Sequence, residues 1–477
     1  MRITDTVIIG AGQAGLAASR CLADRGRDHV VLERGRIGQR WRSDTWDSLH
    51  LLTPNWMNTL PGEAYRGPDP NGFSSAAAFG GHLTRYADSF GAPVEEHSAV
   101  RLLRKRDHGF EVRTDRAAWQ AANVIVATGW CDRPAVPAAA RALPADIHQV
   151  VPNEYRNPRS LPDGGVLVAG ASATGAQLAD ELRAAGRDVT IAVGRHTRMP
   201  RNYRGMDIYW WLDRLGLLDT TIDQVPDRLL ARHEPSAQVV GRPDHRRLDM
   251  ATLQADGVRL AGRVLAIDGH RVRFATDLPA TVATADQRMR QLLRRIDQHV
   301  EANGLGHEML AADRIPAVAP ARAVPDLDLR AAGIRTVVWA TGYRRSYPWL
   351  RLPVLDSSGE IRQRRGCTPV PGLYVLGQRF QHYRSSNFIG GVGRDAAFVA
   401  DHITGVTPRP ALAPEPAADP GGNPCQSTVL PTPATTSLSS APVPPGRPPP
   451  TCWPAPGCVC SSSTAAATAP TPSPRTP

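Results

Sequence analysis

One glycine-rich segment occurs twice in this 477-residue chain, and its two copies are 160 positions apart. VIIGAGQAG begins at Val7, and LVAGASATG begins at Leu167. In each copy an apolar run leads into closely spaced small residues. A G-x-G-x-x-G turn between a strand and a helix places a nucleotide pyrophosphate on the free N–H groups of the helix. The duplication therefore predicts two dinucleotide sites.

The glycine spacing alone is weak support for a nucleotide site, because such spacings are frequent in chains rich in Gly and Ala. Its context strengthens the prediction. Val7 to Ile9 form a β-branched run before the first turn, and Leu16 to Leu22 continue with helical spacing. A secretory apolar region and a plain buried strand–helix pair are the competing interpretations. An acidic residue at the distance expected of a ribose ligand favours the nucleotide.

That acidic residue is Glu33, which lies 18 residues beyond the last glycine of the first turn. A carboxylate there accepts hydrogen bonds from ribose hydroxyls and repels a 2′-phosphate, so the first site is predicted to bind FAD or NAD. The equivalent position of the second copy is Val193, followed by Arg195, His196 and Arg198. Guanidinium groups hold a 2′-phosphate, which predicts NADP at the second site. The alternative is that both arginines are ordinary surface residues.

A second motif, Ala-Thr-Gly, follows an apolar run at Ala127 to Gly129 and again at Ala340 to Gly342. We interpret each copy as the turn at which the chain re-enters a dinucleotide-binding domain. The predicted fold class is α/β, with two Rossmann-like dinucleotide-binding domains and the NADP domain inserted into the FAD domain. The predicted bounds are 1–161 and 331–405 for the two parts of the FAD domain, 162–330 for the NADP domain and 406–477 for a tail.

The tail is rich in Pro, Ala, Ser and Thr and has little aliphatic periodicity. Such a segment cannot bury enough apolar surface to offset the entropy lost on ordering, so we predict that it is disordered. A shifted reading frame near the end of the coding sequence is an alternative explanation of its composition.

Composition argues against several classes of protein. The formal net charge is +11, but Lys105 is the only lysine among 56 basic residues, so we attribute the arginine excess to coding bias rather than to a nucleic-acid surface. No apolar run approaches the ~20 residues of a membrane span, and no signal-peptide pattern precedes the first strand. Cys21, Cys131 and Cys367 are scattered singly, as expected of reduced thiols. We expect a cytoplasmic protein that binds neither nucleic acid nor membrane.

The order of these motifs resembles that of the two-dinucleotide-binding-domain flavoproteins and is most similar to the flavin-containing monooxygenases and their bacterial relatives. The resemblance covers residues 1–405 and includes IGQRW at Ile37 to Trp41, which is similar to the family's Gly-Gly-x-Trp near the flavin. It implies FAD and NADPH as cofactors, with a small organic molecule and dioxygen as substrates. It also implies oxygenation through a flavin C4a-(hydro)peroxide, for which few acid–base side chains are required.

Two departures from the family pattern bear on oxygenation. Counting back from Tyr155, the position of the signature histidine holds Val151, and His148 is out of register. The family's threonine–asparagine pair is not reproduced, because Asn55 and Asn58 lie near that place at another spacing. A flavin monooxygenase is the predicted function. An NADPH oxidase or reductase without oxygenation, and a non-catalytic FAD- and NADP-binding redox sensor, remain alternatives.

Two further interpretations receive less support. A disulfide reductase shares both nucleotide domains but needs a cysteine pair beside the flavin, and the close pair Cys458 and Cys460 lies in the tail at the wrong spacing. The aromatic residues from Tyr209 to Trp211 would suit an apolar substrate pocket, but aromatics at helical spacing are more often part of a core. Substrate identity and oligomeric state are not predicted.

The residues predicted to bind the cofactors belong to the two glycine turns, the strand ends beside them and the two Ala-Thr-Gly motifs. No catalytic residue and no metal site are predicted. The predicted cofactor ligands are Gly10, Gly12, Gln13, Ala14, Gly15, Glu33, Arg34, Trp41, Thr128, Gly129, Gly170, Ser172, Thr174, Gly175, Arg195, Arg198, Thr341, Gly342 and Gly377.

Overall fold

The computed structural model describes residues 1–319 and 324–406, so the predicted tail lies outside the described residues apart from its first position. The described part is a mixed α/β structure with two sheets built around parallel strands, which confirms the predicted fold class. None of its helices is both long enough and apolar enough to span a membrane.

The strands are numbered in chain order. They are β1 Arg2–Ile9, β2 His29–Leu32, β3 Val94–Glu95, β4 Val100–Arg106, β5 Gly109–Thr114, β6 Ala118–Val126, β7 Arg133–Pro134, β8 His148–Val150, β9 Gly165–Ala169, β10 Val189–Val193, β11 Asn202–Tyr203, β12 Met206–Asp207, β13 Arg259–Gly262, β14 Val264–Asp268, β15 Arg271–Phe274, β16 Asp326–Asp328, β17 Ile334–Trp339, β18 Tyr343–Arg344, β19 Leu350–Arg351 and β20 Leu373–Val375.

The helices are numbered in the same way. They are α1 Gln13–Ala23, α2 Gln39–Ser43, α3 Ala76–Ser89, α4 Ala173–Ala184, α5 Ile208–Arg214, α6 Arg228–Arg232, α7 Met250–Ala255, α8 Leu278–Ala302 and α9 Val392–Ile403. Short 3₁₀ turns lie at Asn55–Met57, Ala138–Ala142, Pro158–Ser160, Ile222–Gln224 and Leu305–His307.

The first sheet has the strand order β19-β4-β5-β6-β1-β2-β3, and β20 also pairs with β6. Strands β1, β2, β3, β6 and β20 run parallel, whereas β4, β5 and β6 form an antiparallel meander. The central strands β1 and β2 are rich in Val and Ile because both faces of a parallel sheet are buried. The carboxyl ends of β1, β6 and β20 therefore meet at one edge.

The second sheet is wholly parallel, with the order β13-β10-β9-β17-β8. Two of its strands lie outside the predicted bounds of 162–330. Strand β17 pairs with β9 from Ile334 opposite Gly165 to Trp339 opposite Ala169, and all its residues except Arg335 are buried. The sequence predicted that β17 belongs to the closing part of the FAD domain. That prediction is wrong, because β17 pairs with β9 and β8 of the second sheet.

This pairing changes the meaning of the Ala-Thr-Gly motifs. The first motif follows β6, which lies beside β1, and the second follows β17, which lies beside β9. Each motif thus directly follows the strand that lies beside the strand leading into a glycine turn. The second motif therefore does not mark re-entry into the first sheet, as the sequence analysis had interpreted it. The chain returns to the first sheet later, through β19 and β20.

Candidate cofactor site

The first glycine turn is shaped by close approaches that glycine alone allows. At Gly15 a Cβ atom would lie 1.8 Å from the carbonyl oxygen of Gly10, so α1 packs directly on the end of β1. Gly10 has a φ of +106°, and a Cβ there would lie 2.8 Å from the carbonyl oxygen of Ala127. At Gly12 a Cβ would meet nothing within 4 Å. Backbone atoms therefore pack tightly against Gly10 and Gly15, whereas the space next to Gly12 is empty, as close approach of a pyrophosphate requires.

Helix α1 begins at this open position. Gly12 is its N-cap, and no side chain caps the first turn, so the first N–H groups remain available to an anion. The Nε1 atom of Trp41 donates to Oε1 of Gln13 at 3.4 Å. A Cβ at Gly377, whose φ is +77°, would lie 2.9 Å from the Cβ of Ala14. The structure thus brings these predicted ligands together around one helix end.

The carboxylate of Glu33 is buried beside the same turn. Its Oε2 accepts a hydrogen bond from the N–H of Ala11 at 2.8 Å, and its Oε1 accepts one from the N–H of Gly35 at 2.9 Å. A carboxylate has about four acceptor positions, so acceptor capacity remains for ribose hydroxyls. The Arg34 side chain is 59% exposed, and its Nη1 lies 3.5 Å from Oδ1 of Asp132.

The first Ala-Thr-Gly motif borders the turn as well. A Cβ on Gly10 would lie 3.5 Å from the Cα of Thr128. Gly129 has a φ of +74°, and the nearest atom to a Cβ there, 3.6 Å away, belongs to the guanidinium of Arg40. The open cradle at Gly12, the uncapped helix and the buried carboxylate together fit a dinucleotide with a free ribose 2′-hydroxyl.

The second glycine turn repeats this geometry. At Gly175 a Cβ would lie 1.9 Å from the carbonyl oxygen of Gly170, and at Gly170 a Cβ would lie 2.3 Å from that of Ala340. Ser172 is the N-cap of α4 but makes no side-chain capping hydrogen bond, and Thr174 in the first turn is half-exposed. The second turn therefore also presents an uncapped helix end to a ligand.

The second Ala-Thr-Gly motif is anchored to the chain that links the two sheets. The hydroxyl of Thr341 donates to the carbonyl oxygen of Ala135 at 2.8 Å, and Gly342 has a φ of +92°. Strands β7 and β18 pair as a short antiparallel ribbon, and Trp130 meets Tyr343 edge to face with ring centroids 6.2 Å apart. The two small-residue turns are thus joined by one ribbon.

The two arginines predicted to hold a 2′-phosphate are in different environments. Arg195 is exposed, and its Nη2 donates to the carbonyl oxygen of His233 at 2.9 Å. Arg198 is buried, with its side chain 1% exposed, and forms ion pairs with Asp249 at 2.8 Å and with Asp286. The sequence predicted that Arg198 binds the cofactor. The structure contradicts this prediction, because the guanidinium of Arg198 is buried and already paired with two carboxylates.

A residue that the sequence did not indicate completes the second turn. Gln238 is fully buried, and its Nε2 donates to the carbonyl oxygen of Ala171 at 2.6 Å. The backbone N–H of Gln238 donates to the carbonyl oxygen of Thr197 at 2.9 Å. No local pattern in the sequence marks this loop residue, because its role depends on contacts with segments far away in the chain.

The positions at which the chain departs from the family signature have structural roles. Val151 packs against a buried apolar cluster that includes Leu167 of β9 and Val337 of β17. Its carbonyl oxygen accepts a hydrogen bond from the N–H of Tyr155 at 3.0 Å. Asn58 accepts a hydrogen bond from the hydroxyl of Thr53 and donates to the carbonyl oxygen of Thr53 at 3.0 Å. Asn55 donates to the carbonyl oxygen of Asp69 at 3.0 Å. Both asparagines therefore bind their own loop.

That loop lies against the segment that leads into α9, because a Cβ on Gly390 would lie 2.3 Å from the carbonyl oxygen of Met57. Among the predicted pocket aromatics, Trp211 is fully buried, and its Nε1 donates to the carbonyl oxygen of Tyr203 at 2.8 Å. Tyr209 meets Phe388 edge to face at 5.8 Å. These contacts agree with the core interpretation of Trp211.

Comparison with known proteins agrees with this geometry. The family described as pyridine nucleotide-disulphide oxidoreductase matches residues 7–212. A CzcO-like oxidoreductase of Geobacillus kaustophilus is 32% identical over 405 residues, covering 84% of this chain and 98% of the relative. An indole-3-pyruvate monooxygenase of Oryza sativa subsp. japonica is 26% identical, covering 79% and 86% of the two chains. A flavin-containing monooxygenase from Stenotrophomonas maltophilia has a TM-score of 0.60 at 19% identity, covering 85% of this chain and 99% of its own.

Proposed function

Because this chain belongs to the family of flavin monooxygenase-like flavoproteins that includes the CzcO-like oxidoreductases, we propose that it is an NADPH-dependent flavoprotein monooxygenase. It is an oxidoreductase, and its family membership implies FAD and NADPH as cofactors. The proposal adds the direction of electron flow, from NADPH to FAD and then to dioxygen, and the oxygenation of a small organic substrate.

The contrast between the two glycine turns carries the proposal. Glu33 places a buried carboxylate at the ribose position of the first turn, whereas the second turn has the exposed guanidinium of Arg195 after its second strand. A carboxylate favours an unphosphorylated ribose, and a guanidinium favours a 2′-phosphate. In this proposal the first turn, with Gly129 and Gly377, holds FAD, and the second turn, with Thr341 and Gly342, holds NADPH.

The bound flavin would supply the redox and oxygen chemistry, since no protein side chain accepts a hydride or activates dioxygen. The residues of the chain then have two tasks. Uncapped helix ends bind the two pyrophosphates, and Glu33 and Arg195 select the two riboses. The name of the rice relative, which acts on indole-3-pyruvate, supports oxygenation of a small organic substrate.

The test uses FAD-loaded protein and has three readouts. Without air, NADPH is expected to bleach the flavin at least ~10-fold more efficiently than NADH. In air, ¹⁸O from labelled dioxygen is expected in the product of one of two probes, methyl phenyl sulfide or indole-3-pyruvate. NADPH consumption matched by hydrogen peroxide, with no labelled product, would replace the monooxygenase by an oxidase. A flavin that NADPH does not bleach would contradict both enzymes and favour a redox sensor.

A further inference from the structure

Three arginine side chains converge on one carboxylate in the antiparallel part of the first sheet. Glu111 lies on β5, and its Cα partners are Arg104 on β4 and Gln120 on β6. The Oε2 atom of Glu111 accepts hydrogen bonds from Nε of Arg104 at 2.8 Å and from Nε of Arg106 at 2.7 Å. Its Oε1 atom accepts one from Nε of Arg113. We call Arg104, Arg106, Glu111 and Arg113 the Glu111 cluster.

The cluster lies on the solvent face of the sheet. Successive side chains of a strand point to opposite faces, and the two neighbours of Glu111, Phe110 and Val112, are fully buried in the core. The side chain of Glu111 is 4% exposed, whereas those of the three arginines are between 37% and 53% exposed. The arginines therefore cover the carboxylate and present their other sides to solvent.

Three guanidiniums and one carboxylate give the cluster a net charge of +2. Burial alone would raise the pKa of Glu111, but the hydrogen bonds from the three arginines lower it to about 2, so the carboxylate is ionised at neutral pH. Within residues 1–319 and 324–406, no other carboxylate forms an ion pair with these arginines. Arg351 on β19 is the Cα partner of Arg104 and adds a further positive charge.

A depression of about 310 Å³ lies in the surface beside the cluster. Its lining includes Arg106, Glu111, Arg113, Gln120 and Asp107. Asp107 is exposed and forms no ion pair with the arginines among the described residues, so it does not neutralise them. A depression of this size is at the lower limit of those that hold organic ligands, and it exceeds what a single phosphate group fills.

The guanidiniums retain donors for a ligand. A guanidinium has five N–H donors, and the Nη1 group of each arginine in the cluster makes no hydrogen bond within the described part of the chain. Because the carboxylate of Glu111 already orders all three side chains, an anion would not have to order them on binding. The cluster is thus a preorganised set of forks that several oxygens of one oxyanion can accept from.

The excess charge indicates which class of oxyanion fits. A phosphate monoester carries about −1.5 to −2 charges at pH 7 and has three terminal oxygens, so it neutralises the excess of two positive charges. A carboxylate or a phosphodiester carries a single negative charge and would leave half of the excess. Inorganic phosphate shares the chemistry of the monoester.

We propose that the Glu111 cluster binds a phosphate group, either that of a small phosphate monoester or free inorganic phosphate. The site is separate from the cofactor turns, because Gln120 precedes the carboxyl end of β6 at Val126 by six residues, which is about 20 Å of strand. The inference therefore does not rest on the proposed function.

Ligand-induced stabilisation tests the proposal on the FAD-loaded protein, with NADP⁺ in excess to occupy the second turn. Thermal unfolding is measured with glycerol 3-phosphate, inorganic phosphate or acetate at equal ionic strength. We expect at least one of the two phosphate probes to raise the Tm of the wild type by at least ~2 °C, because a ligand that binds only the folded state stabilises it. Acetate should leave the Tm unchanged. Arg106→Gln and Arg113→Gln should each lose the phosphate shift.

Arg101→Gln is the matched control. It removes the same charge from β4, but Arg101 is 69% exposed and pairs with Asp115 at 3.8 Å instead of Glu111. This variant should keep the phosphate shift. Arg106→Gln and Arg113→Gln each leave two arginines on the Glu111 carboxylate, so its charge stays paired, and either variant is informative if the other fails to fold.

The two phosphate probes identify the source of the anion. A shift that glycerol 3-phosphate induces at a concentration ~10-fold lower than inorganic phosphate would support a phosphate monoester, and an equal or stronger response to inorganic phosphate would support the free anion. A wild type that responds to neither probe would overturn the inference, as would a shift that both Arg106→Gln and Arg113→Gln retain. Loss of the shift in Arg101→Gln as well, or an equal shift with acetate, would replace the site by a general effect of positive charge.

Discussion

The side-chain amide of Gln238 donates a hydrogen bond to the carbonyl oxygen of Ala171 at 2.6 Å. Ala171 lies inside the second glycine turn, and the two residues are 67 positions apart in the chain. The bond fixes the orientation of one peptide group at the start of α4, where unpaired N–H groups face the proposed pyrophosphate. The shape of the turn is therefore set by a distant buried side chain as well as by its own small residues.

Substituting Gln238 by alanine should weaken NADPH binding. A buried hydrogen bond contributes roughly 1–2 kcal/mol, so freeing the Ala171 carbonyl should raise the KM for NADPH on the order of 10-fold. The measurement is steady-state NADPH oxidation, with the FAD content from the visible spectrum expected to stay unchanged. Gln254→Ala, which removes a bond to the carbonyl of Ala319 at 3.3 Å, is the control and should leave KM unchanged. Equal KM values for both variants would show that Gln238 does not position the turn.

Replacing Glu33 by glutamine should reduce FAD retention. The Glu33 carboxylate accepts from the N–H groups of Ala11 and Gly35, and an amide would turn one donor toward another donor. We expect the Kd for FAD to rise about 10- to 100-fold, because the penalty of an unsatisfied buried group adds to the lost ribose contact. FAD release is measured by flavin fluorescence during dilution. Glu95→Gln, at a surface ion pair with Arg2, should retain FAD like the wild type.

Arg195→Gln should change cofactor preference without changing stability. Arg195 is exposed and makes one hydrogen bond to a backbone carbonyl, so its loss leaves no buried partner unpaired. The ratio of kcat/KM for NADPH to that for NADH should fall about 10-fold or more, since a charge-assisted bond to phosphate contributes about 1.5–3 kcal/mol. An unchanged ratio would remove Arg195 from the proposed phosphate site.

Arg198→Met should reduce stability without changing cofactor preference, which is the opposite of what we expect for Arg195→Gln. The guanidinium of Arg198 is held between Asp249 and Asp286, so its removal leaves Asp286 without its paired cation and leaves the buried Asp249 with only Arg247, at 3.5 Å. Breaking a buried ion pair on one side costs about 3–5 kcal/mol, and chemical denaturation should show a loss of that size. The preference for NADPH over NADH should be that of the wild type. A changed preference at unchanged stability would return Arg198 to the cofactor site.

Local spacing was sufficient to predict both glycine turns, because the close approaches at Gly15 and Gly175 are contacts within one strand–turn–helix unit. Glu33 was also predictable, since the distance from turn to acid is set by one helix and one strand. Such features depend on short stretches of chain, and their geometry follows directly from the residue types present.

Long-range contacts explain what the sequence did not reveal. The partners that bury Arg198 follow it by 51 and 88 positions, so its proximity to the second turn in sequence was misleading. Strand β17 was assigned to the wrong sheet because an apolar run does not indicate which neighbour it pairs with. Gln238 lies in a segment without any motif, and its role depends on a hydrogen bond to Ala171, which is 67 positions away in the chain.

Asp395→Asn should stabilise the protein in a pH-dependent way. Asp395 is 2% exposed in α9, and burial raises its pKa from 3.8 to about 6, although a hydrogen bond from Ser386 acts in the opposite direction. The folded state therefore holds a proton that the unfolded state releases between about pH 4 and pH 6, so the wild type loses stability as pH rises through that window. Below the window the carboxyl is neutral in both states, and the variant and the wild type should be similar. Above it the variant should gain about 3 kcal/mol, which urea denaturation at both ends of the window measures. If the difference in unfolding free energy between the variant and the wild type were the same at both ends of this pH range, the raised pKa of Asp395 would be contradicted.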